Sequence, residues 1–293
     1  MKTIIFQLNK KVINTLVTFG SMKFPKSVFA FYINSSIHVA LAVSALLAIT
    51  VLEFGLTIPW QMWGFVFLGA LTGYNFVKYA KVAGLHHRSL TNSLRSIQVF
   101  SGVCFLMLGF IAFQLPIDVL LFAAGFGLTT FFYAVPFVRS KSLRHLSGIK
   151  IFVVAFVWAG VSVILPFAAS DVGITGDVLL TFFQRILIVI ALILPFEIRD
   201  VPYDGLNLKT LPQQIGIRNT KLLGLGMLLI CLGCEFFKHD FEVAYIISLL
   251  IFCVVLGWFL VISKPEQSRY FSSFWVEGLP ILWVLLFVLF EKI

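Results

Sequence analysis

Three carboxylates stand at i, i+3 and i+7 in the stretch 195–204: Glu197, Asp200 and Asp204. On a helix these positions share one narrow stripe, because seven residues make almost two turns. Pro202 falls between the last two and breaks or kinks such a helix, so the stripe is bent at its end. Carboxylates held together repel one another unless they share a cation, and an oxygen-rich cluster suits Mg2+ carrying a phosphate. Glu197, Asp200 and Asp204 are therefore the candidate metal ligands. A solvated loop after a helix uses the same Asp, Gly and Pro as turn residues, and ion-pair clusters share the spacing.

The elements that position these acids are membrane spans. Hydrophobic residues make up 60% of the chain and charged residues only 12%, with long charge-free runs at 27–52, 54–77, 96–117, 119–138, 151–170 and 243–263. Each run meets the length of about 20 apolar residues that a bilayer requires. This composition excludes a soluble domain. The four cysteines, Cys104, Cys231, Cys234 and Cys253, fall inside apolar runs and read as small packing residues, the Cys231–Cys234 pair included.

A net charge of +9 raises the question of nucleic acid, and its distribution answers it. Nine spans are predicted, the first over about 28–52 and the others over 58–79, 96–114, 119–136, 151–169, 178–198, 222–237, 243–262 and 274–290. Of the 22 Lys and Arg, all but Arg185, Lys238 and Lys292 fall on one side of this arrangement. That pattern is a topology signal rather than a nucleic-acid footprint, and it places the N-terminus in the cytoplasm. Residues 1–26 read as an amphipathic segment lying on the cytoplasmic face, and 27–293 as the membrane domain. Spans two and six end on the same side, so Asn75 and Asp200 share one membrane face. The polar group Asn34, Ser35, Ser36 and His38 in the first span is expected to face other helices, with His38 as a packing residue. The adjacent His86 and His87 point to different sides of a helix, which disfavours a metal site there. Glu277, near the start of the last span, is expected to face the protein interior.

These residues resemble the UbiA superfamily of intramembrane prenyltransferases. The likeness covers nearly the whole chain, and its specific part is Glu197-Ile198-Arg199-Asp200, then Asp204, then Leu208-Lys209-Thr210-Leu211-Pro212 with Ile215-Gly216. Tyr133, Arg144, Lys150 and Trp158 are similar to the family's loop between spans four and five and its fifth helix. The resemblance implies an all-α bundle of nine transmembrane helices in the inner or cytoplasmic membrane, with chemistry on the cytoplasmic side. It also implies two acidic motifs holding Mg2+ on an isoprenoid diphosphate, whose departure leaves an allylic cation for a lipophilic acceptor to attack. Carried over residue by residue, Asp200, Asp204 and Asn75 are the catalytic candidates, and Lys78, Tyr133, Arg144, Lys150, Arg199 and Lys209 the diphosphate-binding ones.

The first motif departs from the family pattern. Where that pattern places carboxylates four and eight residues after the Asn, this chain has Tyr79 and Ala83, with Lys78 and Lys81 nearby. These lysines either bind phosphate directly, in place of metal charge, or are ordinary positive-inside residues. Two functions follow: prenyl transfer from a Mg-bound isoprenoid diphosphate, or a non-catalytic lipid-phosphate-binding role on the same scaffold.

Overall fold

The computed structural model describes residues 24–83, 92–134, 148–203, 209–240 and 242–292, which contain helices and turns and no strand. The predicted amphipathic segment 1–26 lies almost wholly outside them, as do His86, His87, Arg144 and Asp204.

The first span is two helices, α1 (Phe24–Asn34) and α2 (Ile37–Glu53), meeting at a 55° bend. Ser36 sits at the corner with φ of 62°, an uncommon left-handed conformation for a side-chain-bearing residue. A break at this point frees carbonyls that the helix no longer pairs, and inside a bundle they must be satisfied by neighbours. The next helix, α3 (Trp60–Ala83), supplies the donors, and it is about 36 Å long at 1.5 Å per residue.

Then follow α4 (Asn92–Ala112) and α5 (Ile117–Ala134), whose Leu106, Phe110 and Leu121 point outward. On a soluble protein such a face would be an aggregation patch, and in a bilayer it is lipid contact. Helix α6 (Ile149–Ala168) widens into a π-helical stretch at Gly160–Ile164 just before Pro166. The proline has no N–H to return to the preceding turn and its ring crowds the carbonyl there, which the wider turn accommodates. Gly160 lies against the Phe126 ring of α5 so closely that a Cβ would overlap it.

Helix α7 (Gly176–Asp200) is the most deeply packed long helix. It tolerates Pro195 internally and ends at Asp200, two residues before Pro202. Glu197 and Asp200 therefore do lie on one helix. Helix α8 (Leu211–Cys234) starts earlier than the apolar run suggests, because Thr210 caps it with the Gln213 side chain on its backbone N–H. Its first turn is set apart at Gly216, whose φ of 80° and ψ of 156° suit only glycine. Helix α9 (Val243–Ile262) and α10 (Phe271–Glu291, opening with a π turn over Phe271–Val276) complete the chain.

The helices close into a ring. Helix α2 packs on α3 and α10, α3 on α4 and α5, α5 on α6, and α6 through α10 each on the next. Among the described residues seven helices are long and apolar enough to cross a membrane, and eight spans result if the bent α1–α2 pair counts as one. Helix α3 has the length but carries Gln61, Tyr74, Asn75 and Lys78, which explains why the predicted nine spans exceed this count.

Candidate active site

A cavity of about 860 Å3 opens inside the ring. Its wall is mostly apolar, with Val39, Phe65, Leu108, Phe126, Trp158 and Val161 among the lining residues. One end is different. Lys78 from the end of α3, Lys150 from the start of α6, Arg199 from the end of α7 and Arg269 from just before α10 all line it. Topology brings them together, because alternating helices place those four termini on the same side. Tyr74, Tyr133 and Tyr270 join them, and so does the carboxylate of Glu277, within electrostatic reach of Lys78 and Arg199. Tyr74 meets Trp158 edge to face at 5.9 Å, so two aromatic faces border the apolar part.

The predicted acids stand behind this surface. Lys150 Nζ lies 2.6 Å from Glu197 Oε1; the carboxylate side chain is 3% exposed and the lysine side chain 41%. The buried acid therefore holds a base that faces the opening. Arg199 donates from Nε and Nη2 to the two oxygens of Asp200, at 2.7 and 3.1 Å. A guanidinium has five N–H donors, so three remain for another partner. Neither Glu197 nor Asp200 lines the cavity.

Asn75 is buried and its Nδ2 donates to Ser35 O at 2.9 Å, while Lys78 Nζ and the Tyr79 hydroxyl donate to Asn34 O at 3.1 and 2.8 Å. These are the carbonyls freed by the α1–α2 break. The first-motif segment thus acts as a clip that satisfies a broken helix, and Tyr79 has a hydrogen bond to make where the family pattern has a carboxylate. Asn75 Oδ1 is buried with no partner.

Of the other predicted residues, Tyr133 is buried and lines the cavity near Lys150. Lys209 is exposed with φ of 42° and does not line it. Arg269 was not among the predicted site residues; its only sequence signal was a base in the loop before the last span. Glu277 faces the interior, as an acid at that depth should. His38 is a packing residue: its Nδ1 pairs with the Tyr32 hydroxyl at 2.7 Å, its Nε2 donates to Phe274 O at 2.9 Å, and its ring stacks on Phe274. The cysteines are free and buried.

A second hollow of about 750 Å3 lies on the outer side of the basic end, bordered by Pro202, Tyr203, Pro265 and Glu266. Arg199 and Arg269 line both hollows and so form part of the wall between them.

The opposite end of the bundle holds a separate polar network. Lys238 Nζ bridges Glu53 at 2.6 Å and Glu235 at 2.7 Å, with all three side chains at most 8% exposed. Thr181 donates to Glu53, Gln184 to Glu235, and Arg185 to Leu46 O and Thr50 Oγ1 beneath the Trp283 ring. At its edge Asp177 accepts from the backbone and ring of His239, holding that exposed imidazole's pKa above its ordinary value. None of these groups borders the cavity.

No known family's sequence model matches the chain, and no curated protein matches it. Solved structures do. A UbiA homologue from Aeropyrum pernix K1, in its apo form, superposes with a TM-score of 0.61 at 15% identity, over 89% of this chain and 98% of that one. A UbiA homologue from Archaeoglobus fulgidus, bound to GPP and Mg2+, gives 0.57 at 10% identity, over 90% and 99%. A digeranylgeranylglyceryl phosphate synthase structure gives 0.55 at 13% identity, over 92% and 100%. Identities this low speak to architecture alone, and that architecture extends along nearly the whole chain: this is a multi-pass helical membrane protein with the UbiA fold.

Proposed function

We propose that this protein binds an isoprenoid diphosphate and transfers its prenyl group to a lipophilic acceptor. One observation carries the reading: a single apolar cavity, within the 300–1,000 Å3 range of small-molecule sites, ends in four converging bases. An amphiphile with a polyanionic head and a hydrocarbon tail matches that polarity. Lys78, Lys150, Arg199 and Arg269 face the diphosphate, while Trp158 and Tyr74 lie along the tail.

Their chemistry follows from charge. The allylic C–O bond breaks and the diphosphate leaves with the electron pair, its charge stabilised by the four bases at the end of the cavity. The allylic cation is sheltered by aromatic faces. The acceptor's nucleophile bonds to that carbon, and the proton it loses goes to Glu277, the carboxylate that lines the cavity.

Mg2+ accompanies GPP in the Archaeoglobus homologue, and the resemblance carries it to Glu197, Asp200 and Asp204. Among the described residues the donor set does not fit the ion. No group of three metal-binding side chains forms, and the carboxylates of Glu197 and Asp200 each hold a base. No step is assigned to the metal. The same pairing favours the second reading, a lipid-phosphate binder without turnover. The proposal also includes nine spans, with α3 as one of them, a cytoplasmic N-terminal segment over 1–26, and the basic end at the cytoplasmic face of the inner membrane.

The test is diphosphate release from geranyl, farnesyl and geranylgeranyl diphosphate by the purified protein, with native membrane extract as the acceptor source. Release that grows with extract supports transfer. Saturable binding with no release under any condition supports the second reading.

A further inference from the structure

Among the described residues, the two carboxylates that would hold a metal, Glu197 and Asp200, are already engaged, and the bases beside them are arranged to take an anion. Glu197 and Asp200 grip Lys150 and Arg199, and the Asn75–Tyr79 clip is engaged with the α1–α2 break. Lys78 and Arg269 form no ion pair among the described residues, so they carry the surplus positive charge of this end, opposed in the cavity by Glu277. Arg269 also leans over the Tyr270 ring, 5.5 Å from its centre, which restrains a long side chain. Planar guanidinium forks match phosphate oxygens in pairs, and an arginine with two donors on Asp200 is held in one orientation for the rest.

Building on the prenyl diphosphate reading, we propose that this chain binds the diphosphate directly through Arg199, Arg269 and Lys78, without a bridging divalent metal. Asp200 and Glu197 are then positioning residues for Arg199 and Lys150. The wall that Arg199 and Arg269 share between the two hollows places the head group beside the outer surface, where the released diphosphate can pass to water.

The experiment measures geranyl diphosphate binding to the full chain in lipid nanodiscs by calorimetry, once in Mg2+ and once in EDTA. The dissociation constant in EDTA is expected within about threefold of that in Mg2+, since charge-assisted hydrogen bonds supply the affinity. Inorganic diphosphate is expected to compete in EDTA. Arg269→Gln is expected to weaken binding about tenfold or more in both buffers, because it removes a charged hydrogen-bond partner. Asp200→Asn keeps only one of the two acceptor oxygens that hold Arg199, so it is expected to weaken binding by the same factor in Mg2+ and in EDTA, as a positioning residue does and a metal ligand does not. Affinity that falls more than about tenfold in EDTA and returns with Mg2+ overturns the inference and leaves the prenyl diphosphate reading standing. An Asp200→Asn variant that is monodisperse and loses affinity in Mg2+ but not in EDTA overturns it too, as does failure of inorganic diphosphate to compete. No binding in either buffer sinks the prenyl diphosphate reading itself, and this inference with it.

Discussion

Replacing Lys238 with methionine separates the two polar ends of the bundle. The ammonium sits between Glu53 and Glu235 at 2.6 and 2.7 Å, and its side chain is 3% exposed. Methionine keeps most of the stem and removes the charge, leaving two carboxylates in a dry helix interface. Removing one partner of a buried ion pair costs about 3–5 kcal/mol, because the charge left behind has no water to return to. For a chain of this size about 2 °C of melting temperature corresponds to each kcal/mol, so the midpoint in detergent should fall by roughly 6–10 °C. Geranyl diphosphate binding, measured well below the transition, should be unchanged, since no residue of this network borders the cavity. Adding Glu53→Gln and Glu235→Gln to the methionine variant removes the stranded charges and should recover half or more of the loss. Fluorescence-monitored melting and size-exclusion chromatography read both effects. A shift under about 2 °C, or a triple variant less stable than the single one, refutes the buried-charge argument.

Other outcomes follow from the same geometry. Gly160→Ala drives a methyl group into the Phe126 ring, which also lines the cavity, so farnesyl diphosphate should lose affinity relative to geranyl diphosphate and stability should fall by about 1–3 kcal/mol; competition binding and melting check both. Asn75→Ala leaves Ser35 O without its donor inside the bundle, and a loss of about 1–3 kcal/mol in melting experiments is expected. Glu277→Gln should cut prenyl transfer to membrane-extract acceptors by about a hundredfold or more without weakening geranyl diphosphate binding, the signature of a lost proton acceptor. The imidazole of His239 is held above its ordinary pKa by Asp177, so its stabilising contact is complete below about pH 6.5 and fades as pH rises through the raised value. Melting midpoints should accordingly drift down with rising pH in the wild type, and His239→Gln should flatten that drift.

Most of the spans were legible in the chain because charge-free runs are direct consequences of bilayer solvation. Run boundaries placed the last three helices within a few residues, apart from the early start of α8, where the Thr210 cap and Gly216 carry no hydropathy signal. The spacing of Glu197 and Asp200 correctly put both on one helix end. What spacing left open is what each acid faces. Lys150 lies 47 residues from Glu197, and a nearer base, Arg199, takes Asp200 instead. Pairings of this kind are settled by helix rotation and ring closure.

Asn75 shows the same division. The resemblance to the family's first motif singled it out, and it is buried at that point. Its partner is a carbonyl exposed by a bend at Ser35–Ser36; the polar group Asn34–His38 stands at that place, but polar side chains inside a span signal contact with other helices and not a bend. The Glu53–Lys238–Glu235 network was equally invisible, joining residues 185 positions apart. The sequence by itself determined a multi-span helical protein whose acidic stretch closes one of its spans, because transfer free energy is a local property of each run. Only the tertiary structure decided which bases reach the cavity and which acids are already engaged, because those contacts exist only once the ring of helices has closed.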